Sequence, residues 1–152
     1  MRRLLLVFLL IIALAPSLLA GRPGDKKARP KHPKNIIFMI GDGMGTSQVY
    51  AGYTAKKGLM NMTGMPVSGF VTTFSANDYI TDSGAGGTAL ACGVKTNNFS
   101  IGVDTKGKPV TSILEMAGQR GLSTGLVSTS AITHATPASF IAHTCDRSKY
   151  SD

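Results

Sequence analysis

Five residues in three stretches have the type and spacing for chemistry: Asp42 in IGDGMG, Ser83 in TDSGAGGT, and His134, Thr136 and Arg147 in HATPASFIAHTCDR. The first stretch looks like a nucleotide loop, because glycines between a strand and a helix are where dinucleotide folds seat a pyrophosphate. The spacing argues against that. Gly41 and Gly43 are followed by Thr46 where the third glycine belongs, and Asp42 puts a carboxylate where it would repel an anion. A carboxylate in a tight turn at the end of a strand suits a hard cation instead.

Ser83 lies where the free amides and dipole of a helix mouth favour negative charge. As a nucleophile it needs an activator. The nucleophile elbow G-x-S-x-G fails at Thr81. A metal is the other common activator, since it lowers a bound hydroxyl's pKa and neutralises an incoming phosphate. The simpler alternative, that Ser83 only caps its helix, stays open on local sequence. His134 and Thr136 alternate on an expected extended segment, so both side chains point one way and offer a nitrogen and an oxygen to one cation. Pro137 supports that extension by disfavouring helix at Thr136. Arg147, about three helical turns further on, brings a planar fork that matches two phosphate oxygens.

These residues need a frame. IIFMI (36–40) is short, β-branched and without alternation, as in a strand buried on both faces; VSGFVTTF (67–74) is strand-like, and LSTGLVSTS (122–130) reads as another short buried strand. Between them, helices are expected over TSQVYAGYTAKKG, with Thr46 as cap and Gly58 as stop, over DSGAGGTALACG, over PVTSILEMAGQRG from Pro109 to Gly121, and over PASFIAHTC from Pro137. Strands alternating with helices imply an α/β fold, a three-layer, doubly wound, mostly parallel sheet with helices on both faces. Ligands gather at the carboxyl ends of such strands, where Asp42, Ser83, His134 and Thr136 fall.

Residues 1–20 read as a signal peptide: Arg2 and Arg3, then the apolar LLLVFLLIIALA, then PSLLA before Gly21. Leu18 is large for its place before a cleavage site, which leaves an uncleaved anchor as the alternative; Pro16 and the short run count against a true span. The net charge of +8 invites a nucleic-acid reading, but residues 21–35 hold six basic side chains against one acid, while Ile36 to Asp152 holds eight against seven. The basicity therefore belongs to the signal and a Pro-rich tether, 21–34. No basic stripe with interleaved aromatics suggests nucleic-acid binding. Cys92 and Cys145, each on an expected helix, are a candidate bridge in an exported protein or two buried thiols. Asn61-Met62-Thr63 and Asn98-Phe99-Ser100 are sequons if the route is eukaryotic. His32 belongs to the tether, His143 reads as packed or hydrogen-bonded, and Met39, Met44, Met60, Met62 and Met65 as core filling.

The stretches NIIFMIGDGMG, TDSGAGGTALACG and HATPASFIAH followed by Arg147 resemble alkaline phosphatase in order, spacing and wording over residues 35–152. The resemblance implies a metal-dependent phosphomonoesterase with two zinc ions and one magnesium, working through a phosphoserine intermediate. Ser83 would be the nucleophile, its alkoxide stabilised by zinc; Asp42 would contact a zinc and the magnesium; His134 and Thr136 would lie at the magnesium site. Arg147 would clamp two non-bridging oxygens, oriented by Asp82. Small phosphate monoesters, export to a periplasm or the exterior, and a homodimer follow from the same resemblance. Its zinc ligands come mostly from later in the chain, so residues 35–152 read as the amino-terminal part of a longer enzyme, with an incomplete sheet and no activity alone. Two alternatives remain: a related phosphodiesterase or phosphonate hydrolase, and an exported module that binds metal or phosphate without turnover.

Overall fold

The computed structural model describes residues 33–149. The signal segment and all of the tether before Pro33 lie outside the described residues. The chain divides at Met39/Ile40. Of the first unit, residues 33–39 are described; Ile36, Ile37 and Met39 there are exposed. The remainder of the fold belongs to the second unit.

Helix α1, Thr46–Ala55, follows a glycine turn in which Met44 N–H donates to the Gly41 carbonyl at 3.2 Å and Gly43 takes φ +64°. Its cap is Gly45 rather than the expected Thr46: the Gln48 side chain reaches back and accepts from Gly45 N–H at 3.1 Å, so Thr46 is free to enter the first turn. Gly58 ends the segment as expected, at φ +81°, with its N–H on the Tyr53 carbonyl. No residue of α1 is buried.

Helix α2, Ser83–Cys92, is built almost wholly of small residues. Asp82 caps it, accepting from Ala85 N–H at 2.9 Å, and Gly93 closes it in the left-handed conformation at φ +69°. The lack of side-chain bulk is what lets α2 lie against helix α4, Ala135–Ala138. A Cβ on Gly87 would stand 2.6 Å from Ser139 Oγ and 3.4 Å from Thr136 Cα. Helix α3, Ile113–Gln119, starts later than expected: Ser112 and Glu115 form a reciprocal capping box, whereas Pro109 stands opposite Val103 in a β-bridge. The core is small, with Ile101 at 2% exposure packed on Ala135, Ala138 and Ala142.

The doubly wound parallel sheet is not formed among the described residues. Residues 36–40, 67–74 and 122–130 contain no β-ladder, and Val67, Phe70, Val71, Leu122 and Val127 stand exposed. Ladder bonds need a neighbouring backbone about 4.8 Å away along the whole strand; the packing among the described residues is instead that of α2 on α3 and on α4. Two isolated antiparallel bridges, Ile101–Thr144 and Val103–Pro109, are the β-pairing present there. The methionines also depart from expectation: Met39, Met44, Met62 and Met65 are exposed, while Met60 packs at Gly52 of α1. Cys92 and Cys145 are free thiols, and Cys145 lies in a bend beyond α4, not on a helix.

Candidate functional site

Ser83 is the first helical residue of α2, one place after its cap. The cap is therefore Asp82, which removes the simpler role left open for the serine. Ser83 Oγ accepts from Arg147 Nη1 at 3.1 Å, and the same Nη1 donates to Asp82 Oδ2 at 2.9 Å. Both charged side chains are 20% exposed. Burial pushes the Asp82 carboxyl up, but hydrogen bonds from Ala85 N–H, Arg147 and Phe99 N–H outweigh it and hold the group below its ordinary value. Asp82 is thus an anion at neutral pH, and Arg147 is fixed by a carboxylate that is itself fixed by a helix end. Nε and Nη2 of Arg147 make no hydrogen bond among the described residues, so two donors of the fork are free to take oxygens of an anion beside Ser83.

Asp42 and Thr136 meet, with Thr136 Oγ1 donating to Asp42 Oδ2 at 2.7 Å. The geometry differs from the extended reading of HATPA. His134 is the cap of α4, with ψ 153°, and Thr136 lies inside the helix, since a proline is tolerated in a first turn and Pro137 continues it. His134 and Thr136 are therefore not an alternating pair. The His134 side chain makes no hydrogen bond among the described residues. The close approach of Gly87 to Thr136 sets the Asp42–Thr136 pair beside α2, one turn along from Ser83.

A carboxylate and a hydroxyl in contact are hard oxygen donors, the kind magnesium takes along with water. No three His, Cys, Asp or Glu side chains come together among the described residues, so those residues do not furnish a two-zinc centre. His143 is engaged elsewhere: Nδ1 meets the Gly102 carbonyl at 2.6 Å and Nε2 meets Glu115 Oε1 at 3.0 Å. Two residues outside the expected helices and strands, Asn98 and Phe99, prove central. Asn98 Oδ1 accepts from Asp82 N–H at 3.0 Å, and Phe99 N–H donates to Asp82 Oδ2 at 3.1 Å. The sole hint was an Asn in a loop following the serine's helix; Phe99 in a left-handed conformation, φ +71°, is invisible to pattern.

The sequence matches the alkaline phosphatase family over residues 33–152. It is 48% identical over 131 residues to alkaline phosphatase 4 of Bacillus subtilis, covering 78% of this chain and 28% of that protein. It is 42% identical over 130 residues to the alkaline phosphatase of Escherichia coli, with 79% and 28% covered. The chain thus spans a little over a quarter of the length of the curated relatives it matches. Among solved structures, alkaline phosphatase from the Antarctic bacterium TAB5 superposes with a TM-score of 0.69 at 44% identity, over 72% of this chain and 32% of that one. Two histidine variants of the TAB5 enzyme are described with Mg bound in the M3 site. These relatives are α/β proteins.

Proposed function

Because the chain belongs to the alkaline phosphatase family, we propose that the protein carrying it hydrolyses phosphate monoesters with Ser83 as nucleophile. The observation that carries the reading is the single Arg147 nitrogen shared between Asp82 and Ser83. Arg147 binds two non-bridging oxygens of the substrate through its free donors, bringing phosphorus to Ser83 Oγ. The amides at the start of α2 favour the charge carried by those oxygens. Ser83 Oγ attacks, the bond to the leaving alkoxide breaks, and the alcohol departs. Water then attacks the phosphoserine, the P–Oγ bond breaks and inorganic phosphate is released. Asp82 keeps Arg147 aimed throughout, and positioning of this kind is most of what phosphoryl transfer asks of a protein.

Asp42, Thr136 and His134 are the residues that would hold magnesium. Zinc, at two positions, belongs to the same proposal, with Asp42 and Ser83 as the donors this chain offers. A bound cation supplies charge neutralisation and a lowered hydroxyl pKa. The domain plan proposed is a signal peptide at 1–20, a tether at 21–34 and catalytic residues from 35 onward, in an exported protein that dimerises. The guanidinium fork favours a dianionic monoester over a diester. The test is hydrolysis of p-nitrophenyl phosphate and its bis ester by the complete protein and its Ser83→Ala variant. The monoester is expected to be the faster substrate, with the variant's rate down on the order of a thousandfold. Full activity in Ser83→Ala, or faster diester cleavage, contradicts the proposal.

A further inference from the structure

The pair Asp82–Arg147 is held from two sides by one short stretch. Asn98 is held at three atoms: its backbone N–H donates to Asn77 Oδ1 at 2.8 Å, its Nδ2 donates to the Ile80 carbonyl at 2.9 Å, and its Oδ1 accepts from Asp82 N–H at 3.0 Å. Phe99 then gives its N–H to Asp82 Oδ2 at 3.1 Å and its carbonyl to Arg147 N–H at 2.8 Å. Phe99 makes both bonds with its backbone left-handed, and its φ of +71° is a conformation that bulky residues rarely adopt. The backbone strain at Phe99 persists because its neighbours over-determine it: Asn98 is anchored at three atoms, and Ser100 N–H returns to the Asn97 carbonyl at 3.2 Å. Asp82 and Arg147 are far apart in sequence, and Asn98–Phe99 is where their backbones are tied together.

We infer that Asn98 is a positioning residue for phosphate binding: through the left-handed Phe99 it sets the spacing and aim of Asp82 and Arg147 around Ser83. The inference rests on the proposed phosphatase reading and names a further residue of that site. Asn98 makes no hydrogen bond to Ser83, so its effect on a bound phosphate passes through the Asp82–Arg147 pair. Its removal weakens ground-state and product binding together, which appears in KM and in inhibition by inorganic phosphate more than in kcat.

The experiment is a double-mutant cycle on the complete protein, Asn98→Ala with Arg147→Ala, read as the inhibition constant of inorganic phosphate and as kcat and KM for p-nitrophenyl phosphate. Asn98→Ala is expected to raise KM and the phosphate inhibition constant together by about three- to tenfold, the scale of one lost hydrogen bond, with kcat changed far less. In the Arg147→Ala background the same substitution is expected to change neither constant. Should Asn98→Ala not fold, Asn98→Asp, of the same shape but without the donor to Ile80, takes its place in the cycle with the same direction expected. An inhibition constant unchanged in the folded variant, or raised equally with and without Arg147, overturns the inference. Loss of the Ser83 and Arg147 effects themselves would instead remove the phosphatase reading.

Discussion

Gly102 offers a stability test whose size follows from the coordinates. It sits at φ +59°, and a Cβ there would lie 2.1 Å from the Ala142 carbonyl oxygen and 2.7 Å from His143 Nδ1. Its own N–H donates to Thr88 Oγ1 at 2.9 Å, its carbonyl accepts from Val110 N–H at 2.9 Å, and next to it Ile101 and Thr144 exchange two bonds of 2.8 Å. In Gly102→Ala the left-handed backbone costs about 1–2 kcal/mol. The clash is with backbone, so residues 142–144 must move, and two or three bonds of about 1 kcal/mol each are lost. The total is about 3–5 kcal/mol, a large share of the roughly 5–15 kcal/mol that holds a domain. Gly93→Ala is the control: it has the same sign of φ, +69°, but nothing within 4 Å of the new Cβ, so only the backbone cost of about 1–2 kcal/mol applies. Urea denaturation of both variants reads the two costs from shifts in midpoint at constant slope. Equal destabilisation of the two would refute the close approach of residues 101–102 to 142–144, and with it the seat of Arg147.

Two further outcomes follow from the same packing. In α2, Gly87→Ala gains about 1 kcal/mol of helix propensity, yet the new methyl meets Ser139 Oγ at 2.6 Å and Thr136 Cα at 3.4 Å. Overpacking of about 1–3 kcal/mol is expected to win; a more stable variant in denaturation would show that α2 and α4 are not so close. At His143 both ring nitrogens face acceptors, so both carry protons in this arrangement. The Gly102 carbonyl raises its pKa, burial opposes, and Glu115 adds to the rise. The contribution to stability is therefore complete below the ordinary value of 6.5 and disappears as pH climbs through the higher folded value. With the two side chains 26% and 30% exposed, it amounts to at most about 1 kcal/mol. The stability gap between the natural protein and His143→Gln should shrink from pH 5.5 to pH 9; a gap independent of pH would rule the charged form out.

Local chemistry was the legible part. Gly58, Gly93 and Gly121 stop their segments at φ +81°, +69° and +74°, because glycine takes the left-handed conformation without steric cost; at the end of α1 Lys57 shares it at φ +52°. Helix starts were less legible, since caps compete: Gly45 displaced Thr46 once Gln48 supplied the returning bond, and Ser112 with Glu115 outbid Pro109. VSGFVTTF and LSTGLVSTS have the composition of strands but form none among the described residues, because pairing is a property of neighbours rather than of the segments themselves. At the site, Ser83 and Arg147 are readable by type and Asp82 through the family resemblance, and the three come together, as do Asp42 and Thr136. The alternation assumed for His134 and Thr136 failed because a proline fits the first turn of a helix as well as it ends an extended run. Asn98 and Phe99 are not legible because their roles are carried by the backbone of Phe99 and by the backbone N–H and carboxamide of an asparagine that looks, in sequence, like any other.

The most direct test of the account is chemical. The complete protein is incubated with isotopically labelled inorganic phosphate, quenched in acid and digested, and the labelled peptide is sequenced. Label on Ser83, absent in Ser83→Ala and much reduced in Arg147→Ala, is the predicted result. Label on another residue, or turnover of a monoester with no covalent phosphate at Ser83, would contradict it.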